Sequence, residues 1–318
     1  MPIRMEQDDP KGGRRQPQPN PNNNNRGSGN LGKLLPFILL FLFRRPKLIL
    51  PVLVIGGIWF FFFGGQEMLM GPNTAIADDQ SDNTEFQFGA TLDSTVYDKA
   101  EVFEPLSYGS YSGSGLPPRI SLKEFAPRRG YQGTQGSCVG WASSYAARTI
   151  LYSRVTKQNP DQSAFSPSYL YNQIALTGCQ GAYMRDAMEV LTKKGTLQFR
   201  EFPYNEGSCS ARPSANQQSK AQNFRIKGYN RLTLGANNYT PDMEGIKQHL
   251  AQGSPVVIGM QVGGSFMSQM RGQKVWQPTR RDYSMYGYSG HAMTVIGYDD
   301  QLQGGAFEIM NSWGESWG

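Results

Sequence analysis

Gln132-Gly133-Thr134-Gln135-Gly136-Ser137-Cys138, running on as Val139-Gly140-Trp141-Ala142, is the stretch from which the fold is read. A cysteine stands where a Gly-rich loop gives way to an apolar stripe at three- and four-residue spacing: Ala142, Tyr145, Ala146, Thr149 and Ile150. That is the period of a helix. A thiol at a helix N-terminus meets the positive end of the macrodipole and unpaired backbone N–H groups. Both favour the thiolate, which is the nucleophilic form. The expected chemistry is therefore that of a nucleophilic cysteine, although a cysteine taken alone fits a small buried hydrophobe equally well.

Outward from that stretch, the pattern after residue 116 divides in two. The first half is helical. Ser166 is a good N-cap with Pro167 in the first turn, and Tyr183 to Lys194 carries Ala187, Met188, Val190 and Leu191 before Gly195 ends it. The second half is rich in strands: Pro255 to Val262, Ala292 to Tyr298 and Ala306 to Met310, preceded by a helix over Pro241 to Gln252. Residues 263–290 form a long loop of the kind that is functional or mobile.

A cysteine nucleophile needs a base and a group to orient it. The sequence contains 2 histidines. His249 falls late in an amphipathic helix and reads as an ordinary surface residue. His291 opens an apolar strand among small residues, a place where histidine taken alone is more often structural than catalytic. Asn311 follows the next strand, so adjacent strands bring its amide within reach of the His291 ring, and its oxygen can accept a ring N–H without adding charge.

The 318 residues carry a formal charge of +6. Nine Lys or Arg against three Asp or Glu fall in residues 1–47, which leaves the remainder neutral. The basic balance thus belongs to a tail, and no nucleic-acid-binding face is expected. Residues 1–47 read as a disordered basic tail rich in Pro, Asn, Gly and Gln. Leu34 to Phe43 is too short to cross a bilayer, but residues 48–65 approach the roughly 20 apolar residues of a spanning helix. A retained anchor is preferred over a cleaved signal peptide, since no clear cleavage site directly follows. With Arg44-Arg45-Pro46-Lys47 on the cytoplasmic side, the expectation is a single-pass membrane protein with its C-terminal domain extracytoplasmic. Residues 66–115 read as a polar flexible linker, and 116–318 as the folded domain.

Taken together, Gln132…Cys138, His291 and Asn311 in Asn311-Ser312-Trp313-Gly314 resemble the papain-like cysteine peptidases. Gly178-Cys179-Gln180-Gly181-Ala182-Tyr183 and Phe202-Pro203-Tyr204…Cys209 resemble further motifs of that family, in the same order, over about 116–318. The resemblance implies an α+β fold of two lobes, helical and antiparallel β, with the active site in the cleft between them. It implies a Cys138–His291 thiolate–imidazolium pair oriented by Asn311, covered by Trp313, with the oxyanion held by Gln132. Gly181 would pair with the backbone of an extended peptide or protein substrate beside Ala182, and Tyr183 and Ala292 would line a side-chain pocket. Neither metal nor cofactor is implied.

Departures from the pattern sharpen the expectations. Val139-Gly140 stand between the cysteine and Trp141, and Ala182 replaces a glycine. Gln135 stands where many members have a cysteine, so Cys179 and Cys209, both without their usual partners, are expected to bond to each other. No helical inhibitory prosegment is recognisable in residues 66–116. The chain ends at Gly318, before further strands that the family has, which leaves the strand carrying Asn311 short of a partner. Two other functions fit the same residues: a non-hydrolytic scaffold or binding module of the envelope, and a Cys-dependent transpeptidase or amidase.

Overall fold

Two apolar runs, Val256-Val257-Ile258 and Ala292-Met293-Thr294-Val295-Ile296, set the sheet because buried strands can be apolar on both faces. The computed structural model describes residues 1–6, 87–103, 115–285 and 287–317. In chain order its strands are β1 (Pro2–Glu6), β2 (Arg119–Ser121), β3 (Gly228–Arg231), β4 (Thr233–Gly235), β5 (Asn238–Pro241), β6 (Val256–Val262), β7 (Ser289–Asp299) and β8 (Ala306–Met310). The main sheet is antiparallel in the order β2-β7-β6-β1-β3, with β8 also paired to β7; β4 and β5 form a separate hairpin. The architecture is α+β.

The helical half begins with α1, a continuous segment wound as α over Cys138–Gly140, π over Trp141–Arg148 and α over Thr149–Thr156. It is followed by α2 (Pro167–Ile174) and α3 (Met184–Lys193); α4 (Met243–Ala251) and α5 (Gly264–Gln269) flank β6. Ser166 caps α2 through Tyr169 N–H, as its sequence predicts. Gly140 answers for one departure in the motif: a Cβ there would meet the Pro167 carbonyl oxygen of α2 at 2.7 Å. Thr294 Oγ1 on β7 donates to the Ala142 carbonyl on α1 at 2.9 Å, which joins the helical half to the sheet.

The tail expected to be disordered over 1–47 is corrected at its first residues. Ile3 and Met5 alternate with Arg4 and Glu6, the period of a strand with one buried face. As β1 they pair antiparallel with both β3 and β6, and Ile3 and Met5 are buried among Tyr97, Leu191 and Val257. Arg4 points the other way, its guanidinium over the Phe103 ring at 4.2 Å. The polar linker expected over 66–115 is likewise corrected where it is described: Phe88 to Phe103 packs on the domain, with Asp93 capping a helical turn at Ser94–Tyr97. The rest of the tail and the expected anchor at 48–65 lie outside the described residues. Among the described residues no helix is long and apolar enough to cross a membrane, and β8 has no strand partner other than β7.

His249 is a second correction. It lies on α4 but is only 2% exposed, with its ring edge-on to Phe103 at 4.7 Å. The helix turns that face toward β1, where Arg4 reaches within 3.5 Å of Nδ1. Burial, and then the Arg4 charge, lower its pKa to about 3.

Two predictions follow from this packing. Ile3→Ala should lower unfolding free energy by about 2–5 kcal/mol, as for a large aliphatic lost from a core, measured by urea denaturation; an unchanged midpoint would show β1 to be dispensable. The unfolded chain protonates His249 below its ordinary value of 6.5, the folded chain only near 3. Its contribution to stability is thus complete above 6.5 and lost as pH falls toward 3. The thermal midpoint should drop between pH 7 and 4, and less steeply in His249→Phe.

Candidate active site

Gln132 reaches the sheet from the loop before α1. Its backbone N–H donates to the Ser312 carbonyl at 2.8 Å and its Oε1 accepts from the Ser312 hydroxyl at 2.6 Å, so the turn after β8 holds both its backbone and its side chain. Tyr204 braces the same loop, donating to the Gln132 carbonyl at 2.7 Å and meeting Ser137 Oγ at 2.7 Å. Held this way, Gln132 Nε2 points its donors at the Gln135 carbonyl (3.0 Å) and the Gln87 carbonyl (2.9 Å).

Cys138 opens α1, as the Gly-rich approach predicts. Its Sγ accepts from the Ala292 N–H at 3.4 Å, which sets the sulfur against the residue next to His291. His291 Nε2 lies 2.8 Å from Asn311 Oδ1. The Ser312 N–H donates to that same oxygen at 2.7 Å, identifying it as an acceptor. The hydrogen of the neutral ring must then sit on Nε2, which leaves the Nδ1 lone pair open; Nδ1 has no hydrogen-bond partner among the described residues. Trp313 stacks on the imidazole with centroids 4.4 Å apart and planes at 25°. Cys138, His291, Asn311, Gln132 and Trp313 therefore converge.

Residues 87–92, which the sequence reading assigned to a linker, run through this convergence. The Ala182 N–H donates to the Gly89 carbonyl (2.8 Å) and the Thr91 N–H to the Ala182 carbonyl (3.1 Å), a parallel bridge on the helical side. On the sheet side, Gly89 and Ala90 N–H both donate to the Gly290 carbonyl, at 3.2 and 3.0 Å. Phe88 sits edge-on to His291 and Trp313, at 6.2 and 6.1 Å. Only glycine fits at 89, because a Cβ would lie 2.0 Å from the Gly136 carbonyl oxygen. The signal in the sequence was Phe88-Gly89-Ala90, an aromatic and two small residues in polar surroundings, followed by the Asp93 cap.

With the segment in place, Cys138 and His291 are both 0% exposed. Burial pushes the thiol up to about 12, against the lowering effect of the N–H groups around it, and brings the imidazole down to about 4 in spite of Asn311. The thiolate expected at the helix terminus is thus a neutral thiol in this state. Burial disfavours each charge more than the dipole favours it.

The remaining expected residues divide. Of the two neighbours it is Ala182, not Gly181, that pairs with the chain's own residues 89–91. Gly181 turns inward, its N–H to the Tyr171 hydroxyl (3.1 Å) and its carbonyl to Leu176 N–H (2.9 Å). Ala292 meets the sulfur and the core, and Tyr183 stands at the N-cap position of α3 without a side-chain cap bond. Leu92 lies nearby, 2.7 Å from where a Cβ on Gly259 would stand. Cys179 and Cys209 are bonded to each other, with S–S 2.08 Å.

The family model for papain family cysteine proteases matches residues 127–318. Mouse cathepsin K is 30% identical over 192 residues, covering 59% of this chain and 52% of its own length. A cysteine protease of the mite Blomia tropicalis is 26% identical, covering 74% of this chain and 68% of its own. Among solved structures, xylellain, a cysteine protease from Xylella fastidiosa, aligns with TM-score 0.55 at 25% identity over 77% of this chain and 90% of that one. Toward cathepsin K the chain thus spans about half the length of its relative. A match over residues 127–318, with the solved neighbours sharing its fold, places this chain in the papain family of cysteine proteases.

Proposed function

We propose that the chain is a peptide-bond hydrolase that uses Cys138 as nucleophile and is held latent by its own residues 87–92. The observation that carries this reading is the convergence of Cys138, His291, Asn311 and Gln132 from three separate segments. Once the cleft is clear, the thiol proton passes to His291 Nδ1, the lone pair that the Asn311 bond leaves open. The sulfur attacks a peptide carbonyl, and Gln132 Nε2 donates to the oxyanion, a contact typically worth about 2.7–4 kcal/mol in the transition state. His291 then protonates the leaving amine, and water attacks the acyl-enzyme to restore the thiol. Peptide or protein substrates would pair with Ala182 as residues 89–91 do. Acyl transfer to an amine uses the same steps until water enters, so a transpeptidase differs only in the last nucleophile.

Membrane association through residues 48–65 and an extracytoplasmic domain remain readings of the sequence; the Cys179–Cys209 bond supports an oxidising compartment. A single span between residues 7 and 86 would separate Met1–Glu6 from the domain by a bilayer, and β1 could then not occupy its own sheet.

An epoxide probe tests catalysis and latency together. Labelling should be slow in the wild type, absent in Cys138→Ala, and about tenfold faster or more in Gly89→Val, whose side chain cannot fit; a tenfold change corresponds to roughly 1.4 kcal/mol. Equal labelling of wild type and Gly89→Val would remove latency, and undiminished labelling of Cys138→Ala would remove the nucleophile. For topology, a cysteine placed at Asn20 should react with an impermeant maleimide from the same side as the domain. Reaction only from the opposite side would establish the single span and overturn the pairing of β1.

A further inference from the structure

The loop between β6 and β7 is organised around one carboxylate. Asp282 Oδ1 accepts from the Ser265 N–H (2.8 Å) and the Tyr288 hydroxyl (2.7 Å). Its Oδ2 accepts from the Ser265 hydroxyl (2.5 Å) and from the N–H (2.5 Å) and hydroxyl (2.8 Å) of Thr279. These donors, Ser265 foremost, hold the carboxyl well below the usual range. Asp282 is 6% exposed, inside a loop whose length made it a candidate for mobility or function. The backbone is shaped to admit it: Gly264 has φ +51°, and a Cβ there would lie 2.3 Å from Asp282 Oδ1.

What Asp282 gathers leads back to the active site. Ser265 Oγ, while donating to Asp282, accepts from Trp276 Nε1 at 2.9 Å. Phe266, the next residue of α5, packs on Trp276 at 5.2 Å, on Trp317 at 4.9 Å and on Trp313 at 6.0 Å. Trp313 is the indole stacked on His291. We propose that Asp282 is a positioning residue for the His291–Asn311 pair: by gathering Ser265, Thr279 and Tyr288 it sets Phe266 and Trp276 behind Trp313 and keeps the indole face on the imidazole. Its relevance to catalysis rests on the reading of His291 given above.

The sequence has 2 histidines, so their ring protons can be followed individually by NMR in the full chain, with His249→Phe giving the assignment. In Asp282→Asn, which replaces one accepting oxygen by a donor, the His291 ring protons should lose the upfield shift imposed by the Trp313 ring current. The His249 signals should stay where they are. Ser265→Ala leaves the carboxylate but cuts its link to Trp276, and should move the His291 signals in the same direction; it is read alone if Asp282→Asn does not fold. In any assay where the wild type turns over peptide, kcat should fall by about tenfold with KM within about twofold. A lower melting temperature with His291 signals unmoved would reduce Asp282 to a structural role and overturn the proposal. Shifted His291 signals in a protein whose wild type hydrolyses nothing would leave the positioning intact and defeat only the catalytic reading.

Discussion

A 2.8 Å hydrogen bond from His291 to Asn311 is the contact on which the rest of the candidate site depends. It joins residues near opposite ends of two paired strands, so it exists only if β7 and β8 hold their register, including the irregularity between Val295 and Gly297. The three residues that end β8's excursion then serve two partners. Asn311 takes the imidazole, Ser312 holds Gln132 through both backbone and side chain, and Trp313 covers the ring. A single turn of chain thereby fixes the His291 ring, the Gln132 side chain and the indole over the ring. Small displacements of that turn move all three together, which makes independent repair by a distant substitution difficult.

Electrostatics at the cysteine is a contest that burial wins in this state. Burial raises the thiol from 9.0 to about 12 although the backbone N–H groups around it act to lower it. A helix N-terminus typically offers about 0.3–1 kcal/mol in the other direction. The helix end can therefore govern the sulfur only when water or a charged partner shares the load. Residues 87–92 run between Ala182 and Gly290, and through the Gln87 carbonyl they also occupy Gln132 Nε2. One short extended segment thus engages the helical side, the sheet side and the Gln132 amide together.

What the sequence makes legible follows from how local each signal is. Cys138 at a helix start, the Ser166 cap and the Asn311-Ser312-Trp313 turn are written in neighbouring residues, and the structure places them accordingly. His249 is misread because helical periodicity reports a polar face without reporting what packs on it; here Phe103 and β1 cover that face from far away in the chain. The 87–92 segment and β1 are hidden for a related reason. Each is a few residues long, embedded in polar or low-complexity surroundings, and takes its structure almost wholly from partners more than forty residues away, at Gln132, Ala182 and Gly290 or at Tyr229 and Val257. The exchange of Gly181 for Ala182 as the pairing residue is finer still. A glycine suggests room for a backbone, but which of two neighbours turns outward is settled by Tyr171, whose hydroxyl takes the Gly181 N–H.

β1 also bears on the order in which the molecule can form. Its backbone partners lie as far as 258 residues along the chain, as in the contact from Met1 to Gly259. A loop of that length is closed only late, since its entropy must be recovered by contacts that do not exist until β3 and β6 are in place. Until then Ile3 and Met5 are an unsatisfied strand, and the slot between β3 and β6 is an open pair of edges of the kind that recruits stray strands. The interior of the sheet is thus complete only when its most distant member arrives, and until then both walls of the central slot are unpaired edges.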